Sequence, residues 1–298
     1  MSVPVIDVSA LVRGLHDREI GSQIDHACRE IGFFSIVGHD VRPDLCRDLL
    51  SAALAFFALD DPEKAEIEMT RGGRAWRGWF PVGGELTAGI PDQKEGIYFG
   101  AELPAGHGRP LHGPNLFPTQ PVQLRRLVLE YIDAMTHLGH ALMRGIALGL
   151  GREADAFDAT LTAEPTILFR IFHYPPATLD AAQADEWGVR EHTDYGLLTM
   201  LLQDESGGLQ VRGRAGWVDV PPNPDAFVCN IGDMLERITD GRYQSTPHRV
   251  RNASGRGRLS CPFFFDPSWD ANIGDTTYGE YLLAKVTRVF PELGSEVL

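Results

Sequence analysis

The chain has 298 residues, of which 43% are hydrophobic and 23% charged, proportions typical of a globular protein with one large domain or two small ones. Its formal net charge of -14 argues against nucleic acid or an anionic membrane as a partner, because both attract basic surfaces. No apolar run approaches the roughly 18 residues of a membrane span, and the amino-terminal sequence lacks a signal-peptide pattern. Four scattered cysteines without a Cys-x-x-Cys pair predict buried thiols in the cytoplasm.

The first half of the chain predicts helices, because its apolar residues recur at intervals of three and four. Residues 70–118 differ: they are rich in Gly and Pro and show little periodicity. A segment of this length is too long for a simple connection, so we expect a functional loop region with short strands. In chain order, the elements predicted before residue 160 are an edge strand at 3–8, a helix at 18–31, a strand at 33–37 and helices at 44–59 and 120–150.

After residue 160 the pattern changes to short β-rich runs that are separated by Gly, Pro and Asn turn clusters. Several short strands at regular intervals predict a jelly roll, and helical periodicity returns at 277–290. We therefore expect one β core flanked by amino-terminal and carboxyl-terminal helices in a single domain. Its predicted parts are a mainly helical 1–160 with a substrate loop at 70–118, a jelly-roll core at 161–270 and a final helical part at 271–298.

Five residues of the second half carry the strongest chemical signal: His192, Asp194, His248, Arg258 and Ser260. Two imidazoles and one carboxylate form the facial triad that holds non-haem Fe(II) and leaves coordination positions open. An Arg followed two places later by a Ser on a strand points both side chains to one face. A guanidinium fork beside a hydroxyl is a good carboxylate receptor. The pattern predicts an iron site beside an anion pocket.

Each of these residues also has an ordinary structural interpretation. A lone His on a strand is more often a core or surface residue than a ligand, and Asp194 could simply begin a turn. The joint spacing favours the metal site, since a buried Arg258 would otherwise need a carboxylate partner of its own. Lys94 and Glu95, which are consecutive residues in the first half of the chain, are interpreted as a solvated ion pair.

Several motifs resemble the iron(II)/2-oxoglutarate-dependent dioxygenases of the isopenicillin N synthase-like family. They are PVIDVS at 4–9, REIGFFSIVGHD at 29–40, HTD at 192–194, HRV at 248–250 and RLS at 258–260. The resemblance implies a double-stranded β-helix, with Fe(II) on His192, Asp194 and His248. It also implies that Arg258, Ser260 and Tyr174 bind the distal carboxylate of 2-oxoglutarate.

The same resemblance implies an activity. The enzyme would use O2 and 2-oxoglutarate to oxidise a C–H bond of a small organic molecule by hydroxylation, desaturation or cyclisation, and release succinate and CO2. Substrates of the family include peptides, amino acids, flavonoids, hormones and alkaloids, which suggests secondary metabolism.

Substrate selection is expected from the Gly-rich region, where two cations lie among aromatic residues within seven positions: Arg74, Arg77, Trp79 and Phe80. One hypothesis is a lid with an Arg that binds a substrate carboxylate between aromatic walls. In the family, an Arg before a Gly-aromatic-aromatic run can contact substrate, which favours Arg77. The alternative is a surface loop whose aromatics fill the core. Arg170 is a further candidate, with an ion pair as its structural alternative.

Two other functions fit parts of the pattern. The first is an iron oxidase of the same fold that uses no 2-oxo acid, in which Arg258 and Ser260 would bind a substrate carboxylate instead. The second is a non-catalytic metal-binding β-barrel of the seed-storage type. The spaced Arg-x-Ser pair and the aromatic loop argue against the second.

Overall fold

Two β-sheets and a layer of helices build the protein, whose computed structural model describes residues 2–176 and 187–290. The helices of the described ranges are α1 (Ser9–Val12), α2 (Arg18–Glu30), α3 (Pro43–Phe57), α4 (Asp61–Lys64), α5 (Leu124–Gly149), α6 (Asp233–Ile238) and α7 (Tyr278–Val289). Two 3-10 helices lie at Ala65–Ile67 and Met69–Ala75. None of the helices in these ranges is long and apolar enough to cross a membrane.

The strands are short and mostly antiparallel. They are β1 (Val5–Asp7), β2 (Phe33–Val37), β3 (Gly78–Phe80), β4 (Leu86–Thr87), β5 (Ile90–Pro91), β6 (Glu95–Gly100), β7 (Pro165–Tyr174), β8 (Val189–His192), β9 (Leu198–Gln203), β10 (Leu209–Gly213), β11 (Gly216–Val220), β12 (Phe227–Ile231), β13 (His248–Val250) and β14 (Arg258–Ser268). The major sheet has the order β1-β2-β12-β9-β14-β7-β6-β3. The minor sheet has the order β11-β10-β13-β8, and β4 and β5 form a separate hairpin.

Strand alternation divides the major sheet into a helix-facing side and a cavity-facing side. On β7, Phe169 and Ile171 are fully buried in the core, whereas Arg170, Phe172 and Tyr174 line a cavity between the sheets. Successive strand residues point to opposite faces, so one strand serves both purposes. The long helix α5 packs against α2 and α3 behind this sheet.

The amino-terminal helices begin where the sequence supplies capping residues. The Asp17 side chain accepts hydrogen bonds from the backbone N–H groups of Glu19 and Ile20 and so satisfies the first turn of α2. Gly21 of α2 allows a close approach to α5, since a Cβ on Gly21 would lie 2.8 Å from the Cβ of Leu148. The cap stabilises the start of α2, and the close approach at Gly21 allows α2 to pack tightly against α5.

The double-stranded β-helix core with flanking helices is confirmed. Among the elements that were not predicted are β8, which carries the first histidine, and the short helix α6. The prediction of a solvated Lys94–Glu95 pair is wrong, because the two residues are only 1% and 5% exposed. Glu95 begins β6, an interior strand between β3 and β7, and Lys94 directly precedes it. Each charge is paired inside the protein.

Candidate metal centre and active site

Three side chains bring metal-ligating atoms together at one end of the minor sheet. His192 ends β8 and is the cross-strand partner of His248 on β13, while Asp194 lies two residues after the end of β8. The Oδ1 atom of Asp194 lies 3.8 Å from Nε2 of His192 and 3.7 Å from Nε2 of His248. Within residues 2–176 and 187–290, this is the only group of three or more His, Cys, Asp or Glu side chains arranged to hold a metal ion.

Backbone carbonyls orient both imidazoles. Nδ1 of His192 lies 2.8 Å from the carbonyl oxygen of Arg190, and Nδ1 of His248 lies 3.2 Å from that of Thr246. A proton on each Nδ1 would leave the Nε2 lone pair free for a metal, as in most metal-binding histidines. Burial lowers the pKa of His248 to about 4, with His192 acting in the same direction. His248 is therefore neutral at physiological pH, the form that binds a metal.

Two polar side chains hold the carboxylate of Asp194. Its Oδ2 atom accepts hydrogen bonds from Oγ1 of Thr199 at 2.6 Å and from Nδ2 of Asn230 at 2.7 Å, which leaves Oδ1 for a metal. Burial raises the pKa of Asp194, but at the acidic pH where this carboxylate titrates the protonated His248 and His192 and these two hydrogen bonds outweigh burial, so the pKa lies below its usual value. The donor set of two imidazoles and a carboxylate fits Fe(II).

We expect Thr199→Val and Asn230→Ala each to weaken Fe(II) binding about 10- to 100-fold, because the outer partners of a ligand carboxylate fix its orientation. Anaerobic Fe(II) titration measures the effect. Thr162→Val is the matched control, since the buried hydroxyl of Thr162 donates to the carbonyl of Phe157 outside the cavity. Wild-type metal affinity in both site variants would show that Asp194 needs no such support.

A second polar group lies where β14 pairs with β7. Arg258 is the cross-strand partner of Tyr174, and its Nε donates to the carbonyl of Gly207 at 2.5 Å. Nη2 donates to Oε1 of Gln203 at 3.4 Å, but the buried Nη1 has no hydrogen-bond partner among the described residues. The hydroxyls of Tyr174 and Ser260 lie 3.3 Å apart beside it. An incompletely paired guanidinium next to two hydroxyls fits the distal carboxylate of 2-oxoglutarate.

Both polar groups open into one cavity of about 690 Å³ between the sheets. Its walls include the apolar side chains of Phe172, Leu201, Pro262 and Phe264, and the turn of the β4–β5 hairpin and one face of α7 also line it. Cavities of this size, mostly apolar with a few polar groups, are typical of small-molecule sites.

Another part of the cavity lining carries charged groups of its own. Arg170 is 8% exposed, lines the cavity and stacks on Tyr98 with 3.4 Å between its Cζ and the ring centroid. The hydroxyl of Tyr98 donates to Oε1 of Glu85 at 2.7 Å. Nζ of Lys94 lies 3.0 Å from Oε2 of Glu85 and also pairs with Asp92. No motif in the sequence pointed to Glu85, Tyr98 or Lys94.

The substrate contact predicted for Arg77 is not supported by its position. Its guanidinium is 2% exposed and donates from Nη1 to the carbonyl of Phe99 and from Nη2 to that of Leu111, both at 2.7 Å. These two bonds direct Arg77 behind β6, away from the cavity lining. The Arg77 guanidinium, which the sequence suggested as a receptor for a substrate carboxylate, instead links Leu111 of the 101–118 segment to Phe99 of β6.

The neighbours of Arg77 are also absent from the cavity lining formed by the described residues. Trp79 donates from Nε1 to Oε2 of Glu95 at 3.0 Å, so its ring belongs to a buried network. Phe80 packs edge-on against Tyr98 and supports the wall from behind. The backbone carbonyl of Arg74 accepts a hydrogen bond from the N–H of Leu111. Of the five predicted substrate residues, Arg170 alone lines the cavity.

Comparison with known proteins agrees with this architecture. Residues 165–267 match the model of the 2OG-Fe(II) oxygenase superfamily, and residues 3–120 match the amino-terminal model of non-haem dioxygenases in morphine synthesis. A probable iron/ascorbate oxidoreductase of Dictyostelium discoideum is 42% identical, with 99% of this chain and 97% of that protein covered. A homoarginine-6-hydroxylase of Oryza sativa is 37% identical, with 97% and 98% covered.

Among solved structures, a full-length Neurospora crassa protein in complex with alpha-KG superposes with a TM-score of 0.83 at 28% identity. The match covers 97% of this chain and 96% of that one. The sequence motifs, the fold and the comparisons therefore agree: this chain belongs to the Fe(II)- and 2-oxoglutarate-dependent oxygenases of the isopenicillin N synthase-like superfamily, enzymes that oxidise small molecules.

Proposed function

We propose that His192, Asp194 and His248 bind the Fe(II) of this oxygenase and that Arg258, Ser260 and Tyr174 bind the distal carboxylate of 2-oxoglutarate. The observation that carries this assignment is that the metal-facing atoms and the incompletely paired Arg258 guanidinium line one cavity. Metal binding by a non-catalytic storage protein would not require an incompletely paired guanidinium in the same cavity.

When bound, Fe(II) and 2-oxoglutarate supply the chemistry, in which decarboxylation to succinate and CO2 is coupled to oxidation of a substrate C–H bond. The protein holds three coordination positions with His192, Asp194 and His248 and leaves the others to small molecules. Arg258 orients the co-substrate from one end. The apolar walls at Phe172 and Phe264 keep water from the reacting centre.

The primary substrate is, in this proposal, a small organic carboxylate that binds to Arg170. The buried Arg170 guanidinium donates from Nη1 to two backbone carbonyls at 3.3 Å. The carboxylates of Glu85 and Asp266 interact with its charge, but among the described residues neither forms an ion pair with it within 4.0 Å. A substrate carboxylate would supply the direct anionic contact that stabilises a buried guanidinium. The rice relative is named for hydroxylating homoarginine, which carries a carboxylate.

The proposal extends to the organisation and location of the chain. Residues 1–298 form one oxygenase domain, because the cavity takes its walls from the 70–118 segment, both sheets and α7. The protein works in the cytoplasm, a location supported by four cysteines that are all free and remain reduced there.

Arg170→Gln is expected to lower kcat/KM for the carboxylate substrate by about 30-fold or more, since removing one partner of a buried charge pair costs about 2–5 kcal/mol. Fe(II) affinity and the dissociation constant of 2-oxoglutarate should stay unchanged, because Arg170 touches neither. A screen of small carboxylates for stimulation of 2-oxoglutarate decarboxylation identifies the substrate for this measurement.

Arg77→Gln is the matched control, as Arg77 is an equally buried arginine whose partners are backbone carbonyls. It should lower the melting temperature but keep the substrate KM. If the Arg77 variant lost substrate affinity while the Arg170 variant kept it, the substrate carboxylate would have to be placed on Arg77.

A further inference from the structure

We propose that the substrate is a free amino acid whose carboxylate binds to Arg170 and whose ammonium group binds to Glu85. This inference rests on the proposed function, because it assumes that Arg170 faces the primary substrate. It adds a second recognition group, and with it a substrate class: a molecule that carries both charges close together.

One tyrosine joins the two recognition groups. The Arg170 guanidinium stacks on the face of the Tyr98 ring, 3.4 Å from its centroid, and the hydroxyl of the same ring donates to Oε1 of Glu85 at 2.7 Å. The cation and the anion are therefore separated by little more than one side chain, and both line the cavity. An amino acid presents its carboxylate and ammonium groups on neighbouring atoms, so it matches this separation.

Glu85 has spare capacity to accept hydrogen bonds. Its Oε2 lies 3.0 Å from Nζ of Lys94, yet the contact lacks hydrogen-bond geometry and the buried oxygen has no hydrogen-bond partner among the described residues. Lys94 is also shared with Asp92, which lies beside it. With Arg170 included, the cluster contains two carboxylates and two cations, so its charges balance. A zwitterionic ligand keeps this balance, and its ammonium group would supply the hydrogen bond that Oε2 of Glu85 lacks.

The hairpin fixes Glu85 in this position. The backbone N–H of Asp92 donates to the carbonyl of Glu85 at 3.0 Å, and Thr87 donates from Oγ1 to Asp92 at 2.8 Å. Glu85 is therefore held at the base of the β4–β5 hairpin, whose turn also lines the cavity. A rigid carboxylate of this kind favours a ligand cation over a mobile solvent ion.

The proposed amino-acid site is distinct from the proposed binding site of 2-oxoglutarate. Arg170 and Tyr174 lie on the same face of β7, four residues apart, which corresponds to about 13 Å at about 3.3 Å per residue. Tyr174 is the cross-strand partner of Arg258. Two separate carboxylate receptors at this distance accommodate two different molecules, the co-substrate and the substrate.

Anaerobic calorimetry on the full chain loaded with Fe(II) and 2-oxoglutarate tests the inference. The ligands are the twenty protein amino acids, and each binder is compared with the carboxylic acid that lacks its α-ammonium group, for example L-leucine with 4-methylpentanoate. We expect the amino acid to bind at least about 10-fold more tightly than its deaminated partner, as a charge-assisted hydrogen bond gives. Glu85→Gln should abolish this preference, and Glu205→Gln, at an exposed turn carboxylate, should retain it.

The inference is overturned if the deaminated acids bind as tightly as the amino acids to the wild type, or if Glu85→Gln keeps the preference. Binding of carboxylates without such a preference would leave the Arg170 contact standing and remove only the ammonium site. If neither series binds, the carboxylate contact fails as well. The wild-type comparison needs no variant, so it decides the question even if Glu85→Gln does not fold, which its melting temperature reports.

Discussion

Replacing any one of His192, Asp194 and His248 with alanine is expected to reduce turnover to background and to remove tight Fe(II) binding. In the proposed metal centre each supplies one of three protein ligands, and two ligands do not hold Fe(II) in the geometry of the facial triad. Asp194→Glu should also abolish turnover. In the wild type the carboxylate oxygen lies 3.7–3.8 Å from the two Nε2 atoms, and the longer side chain would move it by more than a catalytic site tolerates.

Metal binding and activity should be measured separately in this series. Anaerobic Fe(II) titration reports the first, and succinate formation reports the second. His137→Ala is the matched control, since His137 is an exposed histidine on α5 and should leave both unchanged. Full activity in any one of the three ligand variants would remove that residue from the metal centre.

Arg258→Ala is expected to raise the apparent KM for 2-oxoglutarate by about 30-fold or more, because it leaves a buried carboxylate without its cation, at a cost of about 2–5 kcal/mol. Arg258→Lys keeps the charge but loses the fork, so its effect should be smaller and in the same direction. Ser260→Ala and Tyr174→Phe should each remove one hydrogen bond to a charged group, worth about 1.5–3 kcal/mol. Steady-state kinetics against 2-oxoglutarate concentration measures all four.

Fe(II) affinity serves as the control for these variants, since none of the three residues is among the proposed metal ligands. Unchanged dependence on 2-oxoglutarate in every variant would contradict the assignment of this site. A loss that appears only in the KM of the primary substrate would favour the oxidase alternative, in which Arg258 binds the substrate itself.

The grouping of the proposed metal and co-substrate residues could be predicted from the sequence because strand geometry constrains it. Arg258 and Ser260 line the same cavity, as the strand period of two requires, and the extended His-x-Asp segment brings both proposed ligands to one end of the minor sheet. What the sequence could not supply is Thr199 and Asn230. They lie on β9 and β12, which pair with each other, and only that pairing brings both to Asp194.

The substrate wall was harder to predict because it depends on how a Gly-rich segment folds. Arg74 and Arg77 have the right chemistry, but β3 pairs with β6 and turns the Arg77 guanidinium to backbone carbonyls. Lys94 and Glu95 resemble a surface pair until β6 is known to be an interior strand. Burial of charge in this region depends on long-range pairing, which short motifs do not report.

Succinate formation from 2-oxoglutarate in air tests directly whether one cavity joins an iron centre to a 2-oxoglutarate site. We expect succinate and CO2 in equal amounts, loss of both after chelation of the metal, and recovery on addition of Fe(II) to the wild type but not to Asp194→Ala. Succinate formation that survives chelation, or oxygen consumption with a substrate but without succinate, would contradict it.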